Sequence, residues 1–535
     1  MHNVYNFYRY YIICRCCKTD TRRQRFKKTT YVENGGSPMR KVRLLSVLIL
    51  LVILISACGG QTTLPDEPYS PVEYSLYPCP EGAYVGDTMP YVTEDGTLEL
   101  YYLYDTDHNG QGYHPIYKYS TKDLCSYTDH GMVLNYGLMS DPDPAIGTGS
   151  VMRDNEGLYH LFYTGHNDTG NSGKGKECVM HATSTDRENW TKIPEDTFYS
   201  PENYSKDDFR DPEVFWSEEE NCYWMLIAAR ENTLGGVVAK YTSTDLKSWE
   251  FAGPIFAPKE QYMLECPDVF RMGETYYLTY SWDCVTYYAM SDSPNGPFTV
   301  PEDNVLDGNN FIFYAAKTAE LNGNRYLCGW LGRAGLSSDS GVYQWAGNVL
   351  NHQLIQREDG TLGVCEPASF EDYFATEKQF AAVKKEGSVK IKNNTITLSE
   401  GALADMGTRP ATMLLECDVT LDADGCAGFA FGGSESDETW TVLCLDAKRG
   451  LLHYEGYEIA DLSRFDPQAF TKFDFSANEV HHVTLVCENE IVVLYVDDMK
   501  ALSSRIRHSI DGAHIGVFAE SGGAEFSNIS MRLPE

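Results

Sequence analysis

Two short stretches of this chain repeat each other but differ in where they carry an acidic residue. "FRDPEVFW" places Asp211 after Arg210, whereas "LECPDVFR" places Glu265 opposite Arg210 and Cys266 opposite Asp211. A further carboxylate follows the proline in both copies, so it belongs to the repeated scaffold. The two acids that break the repeat are candidates for chemistry, because paired carboxylates can supply a proton donor and a nucleophile or base. Asp211 alone would be interpreted as a turn cap, whereas glutamate is a poor turn residue.

A third candidate acid, Asp87, stands in "YVGDTMPYV" just before a strand-like run. A Gly-Asp pair is common in turns, so this residue is the weakest of the three when it is considered by itself. Cleavage of a glycosidic bond needs one acid to protonate the leaving oxygen and one carboxylate to attack the sugar carbon or to direct water. A third acid can orient the sugar, and mutual repulsion raises the pKa of at least one member of such a cluster.

Repeated strand and turn patterns indicate a β-propeller. A turn in which a Ser-Thr pair is followed within two residues by Asp occurs in "YSTKDLCSYTDHG", "TSTDRENWTKI" and "TSTDLKSWEFAG", with a looser copy in "MSDSPNGPF". Aromatic strand-like runs accompany them: "LELYYLYD", "LYHLFYTG", "CYWMLIAAR", "TYYLTYSW" and "RYLCGWL". Recurrence of such units is typical of propeller blades, and five blades are predicted across residues 73–355. The innermost strands of a propeller surround one channel, so acids at the starts of different blades would converge there.

The C-terminal third has a different strand pattern. After a connector at 356–375, residues 376–535 contain longer alternating runs such as "HHVTLVCENEIVVLYVDD", which favour a β-sandwich. Helical patterns are nearly absent from the predicted propeller region. The predicted fold class is therefore all-β, a five-bladed β-propeller followed by a C-terminal β-sandwich. A single large sandwich would explain the alternation but not the repeated turn.

The N-terminal region carries a targeting signal. Basic residues precede an apolar run at 44–58 that is too short for a comfortable membrane span and ends in "ISAC". We interpret 39–57 as a signal peptide whose end resembles a bacterial lipobox, with Cys58 as the lipid-modified residue and 58–72 as a tether. Met39 is the predicted start of translation, which makes 1–38 an upstream, non-native extension. An extracytoplasmic, lipid-anchored protein is predicted, and an ordinary short anchor is the competing interpretation.

Charge and cysteine patterns restrict the partners. The sequence has 43 basic and 77 acidic residues, a net charge of −34, which argues against nucleic acid or anionic lipid as a partner and is compatible with a neutral sugar. Contact with the membrane is expected only through the N-terminal lipid anchor. The cysteines from Cys79 onward are dispersed without a C-x-x-C pair, so we predict no metal and no cofactor. Disulfides and buried thiols both remain open.

The two acidic motifs resemble the Arg-Asp-Pro and Glu-Cys motifs of glycoside hydrolase family 32, the β-fructosidases that include invertases, inulinases and levanases. The similarity extends to "YAAKTA", "WAGNVLNHQLIQREDGTL", "VLYVDDMKALSSRI" and "IGVFAESGGAEFSN". It implies a propeller with an appended sandwich and retaining hydrolysis of sucrose, inulin or levan through a fructosyl-enzyme. It also implies that Asp87 is the nucleophile, Asp211 the transition-state stabiliser and Glu265 the acid/base, with Arg210 beside the sugar.

The segment around the implied nucleophile departs from the family pattern. The usual run is Trp-Met-Asn-Asp-Pro-Asn, whereas this chain has Gly86 before Asp87 and Thr88 after it. This change motivates an alternative, a surface glycan-binding lipoprotein without turnover. A second alternative is an arabinosidase of the related family 43, which inverts and holds its carboxylates roughly 6.5–9.5 Å apart instead of about 5–5.5 Å. A fructosyltransferase would use the same covalent intermediate.

Several further residues are candidates for sugar contact. They are Arg210, Ser150, Trp282, Tyr314, Lys317 and Trp330. Arg210 belongs to the acidic motif, "GTGSV" around Ser150 resembles a substrate-contacting segment of the family, and the aromatic rings could stack on a sugar. The competing interpretations are packing for Ser150, a solvated loop for Lys317 and a core position for the aromatic residues.

Overall fold

The computed structural model describes residues 73–106, 114–259, 262–335, 339, 341–434, 437–456, 465–476, 478–507 and 513–535. These residues belong to one compact unit from Glu73 to Glu535. The predicted signal peptide, Cys58 and the tether lie outside the described residues. Within the described ranges, no helix has the length and apolar character that a membrane crossing requires.

Residues from Tyr84 to Cys365 form five successive antiparallel groups of strands, which we call meanders. The first contains β1 (Tyr84–Val92), β2 (Leu98–Asp105), β3 (Ile116–Thr121) and β4 (Thr128–Leu134). The second contains β5 (Ala145–Arg153), β6 (Tyr159–His166), β7 (Glu177–Ser184), β8 (Thr191–Lys192) and β9 (Phe198–Tyr199). The third contains β10 (Tyr204–Ser217), β11 (Cys222–Glu231), β12 (Gly235–Ser243) and β13 (Glu250–Phe256). The fourth contains β14 (Glu265–Met272), β15 (Thr275–Trp282) and β16 (Val285–Ser291), and the fifth contains β17 (Tyr314–Leu321), β18 (Asn324–Ala334), β19 (Tyr343–Gln356) and β20 (Leu362–Cys365).

The strands of each meander pair in chain order, except that β9 pairs with β7 beside β8. Strand β19 also pairs with β1, so the first and fifth meanders share one sheet. The first strands lie side by side in the order β1, β5, β10, β14 and β17, and β17 returns to β1. The five aromatic runs coincide with the second strands β2, β6, β11, β15 and β18, which confirms the prediction of an all-β fold. Strand β20 lies within the stretch predicted as a connector and pairs with β19.

Each first strand carries a β-bulge where its register shifts against the second strand. The bulges are at Gly86–Asp87, Thr148, Asp211–Pro212, Cys266–Pro267 and Ala315–Ala316. Asp211, Cys266 and Ala315 occupy the same bulge position with φ of 60°, 50° and 55°, a left-handed conformation that costs about 1 kcal/mol or more in a non-glycine residue. Bulges re-aim side chains next to functional sites, so this repeated distortion is the feature that positions the acids.

The repeated turn, in which Ser or Thr stands two residues before Asp, has the same hydrogen bonds in three meanders. In the second, Ser184 Oγ accepts the N–H groups of Asp186 and Arg187, and Asp186 Oδ1 accepts those of Glu188 and Asn189. Equivalent bonds surround Thr121 with Asp123 and Ser243 with Asp245. Short side chains that bond to nearby backbone stabilise turns, which explains why the motif recurs.

The C-terminal part forms two packed sheets. Its strands are β21 (Thr376–Glu377), β22 (Lys384–Glu386), β23 (Val389–Lys392), β24 (Thr395–Leu398), β25 (Ala402–Thr408), β26 (Thr412–Leu421), β27 (Cys426–Ser434), β28 (Asp437–Asp446), β29 (Leu451–Glu455), β30 (Ala469–Lys472), β31 (Val480–Glu488), β32 (Ile491–Val496), β33 (Lys500–Arg505), β34 (His514–Ser521) and β35 (Ala524–Leu533). One sheet has the order β23-β24-β35-β26-β31-β32-β33 with β21 beside β35, and the other has the order β22-β25-β34-β27-β28-β29-β30. Phe429 of the second sheet meets Phe526 of the first at 5.8 Å between ring centroids, within one apolar core.

Helix is scarce in the described chain. It comprises α1 (Phe370–Tyr373) and two 3₁₀ turns at Asn171–Gly173 and Pro194–Asp196. Polar contacts join the meanders to the C-terminal sheets. Asp307 accepts the Ser503 N–H at 2.8 Å and pairs with His352 at 3.0 Å, all three groups being buried.

Candidate active site

Asp87 lies at the second bulge position of β1. Its Oδ1 accepts a hydrogen bond from Trp330 Nε1 at 2.9 Å, and the Trp345 indole lies close enough to lower its pKa. Burial raises the pKa of Asp87 to about 6 and the Glu265 charge adds to the effect, while the two indoles oppose it. The carboxylate is therefore mostly ionised at neutral pH but held in aromatic surroundings, which suits a nucleophile.

Asp211 is only 4% exposed and links three meanders. Its backbone N–H donates to Thr164 Oγ1 of β6 at 2.8 Å, and its Oδ2 accepts the Cys266 N–H of β14 at 3.0 Å. Burial raises the pKa of Asp211 to about 8, the negative charges of Glu265 and Asp87 add to the shift, and Arg210 opposes it. The three acids are therefore close enough to repel one another, and the cluster retains a proton at neutral pH.

Glu265 explains why the two motifs differ in sequence. Its Oε1 accepts a hydrogen bond from Arg210 Nη1 at 2.9 Å and its Oε2 accepts one from the Tyr314 hydroxyl at 2.6 Å. Arg210, Glu265 and Tyr314 are each the last residue before the bulge in β10, β14 and β17. Equivalent positions in three neighbouring strands thus hold a cation, an acid and a hydroxyl. The cation and the hydroxyl each donate a hydrogen bond to the acid, so its carboxyl group is held from both sides.

Arg210 is itself held by acids that the sequence did not single out. Its Nε donates to Glu177 Oε2 at 2.9 Å, and Nη2 reaches Asp208 Oδ1 at 3.3 Å. Although burial would raise the pKa of Glu177, Arg210 and His166 hold it at about 2. Glu177 at the start of β7 has no counterpart in the sequence repeats, so no pattern marked it.

The predicted sugar-binding residues fall into two groups. Tyr314 and Trp330 are core residues, 4% and 0% exposed, that bond directly to Glu265 and Asp87. Trp282, at the end of β15, stacks on Tyr262 at 6.0 Å between ring centroids, and the Tyr262 hydroxyl donates to Asp208, the partner of Arg210.

Ser150 and Lys317 lie just after the bulges of β5 and β17, where they contact neighbouring strands. Ser150 Oγ accepts the Val214 N–H at 2.8 Å. Lys317 is 1% exposed and donates to the Gly149 carbonyl and to Glu213 at 2.6 and 2.8 Å, so it is a buried ion-pair residue of β17 and not a solvated loop residue. Direct sugar contact by either residue stays a prediction.

The departure at Gly86 has a steric cause. A Cβ at this position would lie 2.4 Å from Cη2 and 2.6 Å from Cζ2 of Trp345, whose ring occupies the space that a side chain would need. Trp345 packs between His114 and Trp330 at 4.8 and 5.9 Å between ring centroids. The glycine and the tryptophan therefore form a matched pair beside Asp87.

Gly86→Ala is expected to displace Trp345 and to disturb the hydrogen bonding of Asp87. Overpacking of this kind costs about 1–3 kcal/mol of stability, and we expect kcat/KM to fall at least about tenfold because the indole partner moves. The measurement is steady-state kinetics with thermal unfolding. Gly86→Ala in a Trp345→Phe background should cost clearly less than in the wild type, and equal costs in both backgrounds would rule out the steric explanation.

Neutralising Asp87 should stabilise the fold in a pH-dependent way. A carboxyl whose folded pKa is raised from 3.8 to about 6 contributes most stability below its unfolded pKa, and this contribution is lost as pH rises through about 6. Discounted for partial exposure, the penalty at pH 7 is about 1–2 kcal/mol. Asp87→Asn should therefore have a higher unfolding temperature than wild type at pH 7, with the difference vanishing near pH 4. The exposed-site control Asp292→Asn should show no such trend, and a destabilised Asp87→Asn at pH 7 would refute the assignment.

A cluster of three interacting carboxyl groups, of which Asp211 and Glu265 are buried, is supported by an arginine and an indole donor. Such a cluster is typical of enzymes that cleave glycosidic bonds. Residues 79–362 match the model of the glycosyl hydrolases family 32 N-terminal domain. Because the match covers more than half of the chain, the chain belongs to glycoside hydrolase family 32.

Individual proteins with similar sequences or structures are consistent with this family assignment. A sucrose-6-phosphate hydrolase of Vibrio alginolyticus is 27% identical over 279 residues, which cover 46% of this chain and 53% of that protein, so the match spans about half of that relative's length. The levanbiose-producing levanase of Bacillus subtilis is 23% identical over 477 residues, covering 82% of this chain and 86% of the levanase. The structure of fructan 1-exohydrolase IIa from Cichorium intybus has a TM-score of 0.69 at 15% identity, covering 86% of this chain and 98% of that one, which shows a shared fold.

Proposed function

We propose that this protein hydrolyses β-fructosidic bonds of the sucrose, inulin or levan type with retention of configuration. The observation that carries the proposal is the interacting set of Asp87, Asp211 and Glu265, contributed by three different meanders to one cluster. The names of the relatives describe enzymes that act on such sugars, and membership of family 32 favours this chemistry over that of an arabinosidase.

In the first step, a carboxylate oxygen of Asp87 attacks the anomeric carbon of the fructosyl unit as the bond to the leaving oxygen breaks. Glu265 gives its proton to that oxygen, so the leaving alcohol departs neutral and a fructosyl-enzyme ester remains. Asp211 accepts hydrogen bonds from the sugar, which strengthen as positive charge develops on the ring.

In the second step, ionised Glu265 removes a proton from water while the water oxygen attacks the anomeric carbon. The ester bond breaks and Asp87 regains its charge, so two inversions give net retention. Arg210 and Tyr314 hold the Glu265 carboxylate through both steps, since each donates to a different oxygen. Trp282 offers an aromatic surface on which the sugar would stack, whereas the fully buried Trp330 acts through its hydrogen bond to Asp87.

The proposed architecture is a closed, five-bladed propeller at 73–355 with a sandwich at 376–535. The side-by-side order of the five first strands, with β17 returning to β1, supports closure of the ring. The propeller channel would then open onto the bulges that carry the acids. We also propose that the mature protein begins at Cys58 and is lipid-anchored outside the bacterial cytoplasmic membrane, where fructans are available. Globomycin-sensitive processing with acylation lost in Cys58→Ala would test the anchor, and unchanged processing would refute it.

The function is tested with a panel of sucrose, inulin, levan and an arabinan, with products identified by chromatography. Free fructose or short fructosides should appear from at least one fructoside, and NMR of early product should show the configuration of the substrate. Fructosylated sugars at high sucrose would mark transfer in place of hydrolysis. Arabinose release with inversion, or tight fructan binding without turnover, would overturn the proposal.

A further inference from the structure

A second group of chemically distinctive side chains lies in the C-terminal sheets, far in sequence from the three acids. Cys426 of β27, Cys444 of β28 and His453 of β29 are exposed by 1%, 0% and 2%. Cys444 of β28 lies directly opposite His453 of β29, and Cys426 of β27 lies opposite Asp446 of β28. Because Cys444 and Asp446 are two residues apart on the same strand, the side chains of Cys426, Cys444 and His453 share one face of the sheet. Their ligand atoms all lie within 4.8 Å of one another.

The histidine in this group has charged neighbours but no well-formed hydrogen bond. Neither ring nitrogen of His453 has a hydrogen-bond partner, and Glu455 Oε1 also has none. Glu455 Oε1 lies 3.2 Å from Nδ1 and Asp446 Oδ2 lies 3.4 Å from Nε2, which is ion-pair distance without hydrogen-bond geometry. Buried polar groups in native proteins are almost always satisfied, so an unmet imidazole beside two thiols indicates a missing partner.

The donor set identifies the kind of partner. Two thiolates, an imidazole and a carboxylate are the ligands of tetrahedral zinc, whose bonds of about 2.0–2.3 Å place ligand atoms roughly 3.3–3.8 Å apart. A cluster already within 4.8 Å needs only a small contraction to reach that geometry. Zinc would also neutralise the buried negative charge that the thiolates and carboxylates would otherwise carry.

We propose that Cys426, Cys444 and His453 bind one zinc ion, with Glu455 as the fourth ligand. Asp446 is already fixed by Arg449, which donates to it at 2.5 Å, so it serves to orient the ring from Nε2. A carboxylate behind a metal-bound histidine is a common supporting arrangement. Within the described part of the chain this is the one group of its kind.

The site would join three adjacent strands of one sheet and thereby stabilise the C-terminal domain. Sequence spacing gives no hint of it, because the ligands are 18 and 9 residues apart (444 − 426 and 453 − 444) and follow no short zinc motif. The expectation of no metal rested on that absence. The ligands are brought together by the register of β27, β28 and β29 and not by a short sequence motif.

The test uses the full chain, purified in reductant and dialysed against buffer without added metal. Elemental analysis should find about one zinc per chain, and Cys444→Ser should reduce the content at least tenfold while Cys417→Ala, a buried cysteine of the other sheet, leaves it unchanged. Cobalt exchanged into the wild type should give thiolate charge-transfer absorption. Chelator should lower the unfolding temperature of the wild type and added zinc should restore it, a readout that does not depend on whether the Cys444 variant folds.

Three outcomes would overturn the proposal. The first is a wild-type protein that contains no zinc and takes up neither zinc nor cobalt. The second is a count of free thiols two short after denaturation without reductant, with mass mapping to a Cys426–Cys444 disulfide. The third is full metal content in Cys444→Ser. Because fructoside hydrolysis does not enter any of these readouts, failure here leaves the proposed activity untouched.

Discussion

Asp87→Asn is expected to lower kcat on sucrose or fructan by roughly 10⁴- to 10⁶-fold. The substitution keeps the acceptor for Trp330 Nε1 but removes the charge that attacks the anomeric carbon, and an amide is a very poor nucleophile. Substrate binding should change little, since asparagine has the shape of aspartate. Steady-state kinetics, with contaminating wild-type enzyme excluded by active-site titration, measures the effect.

The matched control for this variant is Asp292→Asn, which changes an exposed acid of the fourth meander and should retain wild-type kcat. The pH-dependent stabilisation expected for Asp87→Asn separates loss of chemistry from loss of fold. A variant that is well folded and still turns over within tenfold of wild type would show that another group attacks the sugar.

Glu265→Gln is expected to lower kcat on sucrose by roughly 10³- to 10⁴-fold, because the leaving oxygen receives no proton. The introduced amide can accept the Arg210 hydrogen bond through its carbonyl oxygen and donate its NH2 group to the Tyr314 hydroxyl oxygen, so the side chain should remain near its native place. With a p-nitrophenyl β-fructoside, whose leaving group needs little protonation, formation of the fructosyl-enzyme should slow by only about tenfold or less.

Added azide should restore turnover of that activated substrate in Glu265→Gln, since azide attacks the ester without a general base, and the product should be a fructosyl azide of retained configuration. Tyr314→Phe provides the positioning control, because it removes one hydrogen bond to the carboxyl group but no titratable catalyst. Equal losses of Glu265→Gln on sucrose and on the activated substrate would remove Glu265 from the acid role.

The sequence predicted the strands and the acids for the same reason, which is that the meanders are repeats. Aromatic alternation marked the second strand of each meander. The difference between the two repeated motifs distinguished Asp211 and Glu265 from the scaffold positions beside them. What the repeat could not reveal is the bulge in each first strand, because a single extra residue leaves no periodic signal. Asp87, Asp211 and Glu265 occupy three different positions relative to the bulges of their strands. The bulges direct these three side chains toward one cluster.

Contacts between meanders were also beyond the sequence. Glu177 of β7 holds Arg210 of β10 with no shared motif, and Trp345 is recognisable only through the space left at Gly86. Lys317 has the charge of a surface residue, but its ion pair with Glu213 allows it to be buried. Each of these depends on long-range neighbours, which one sequence without homologues does not reveal.

Trapping the fructosyl-enzyme tests the central claim most directly. Glu265→Gln protein incubated with an activated β-fructoside and quenched in acid should gain the mass of one anhydrofructose residue, located by peptide mapping at Asp87 and lost on treatment with azide. Turnover that leaves no adduct and yields product of inverted configuration, or an adduct on a residue other than Asp87, would contradict the mechanism.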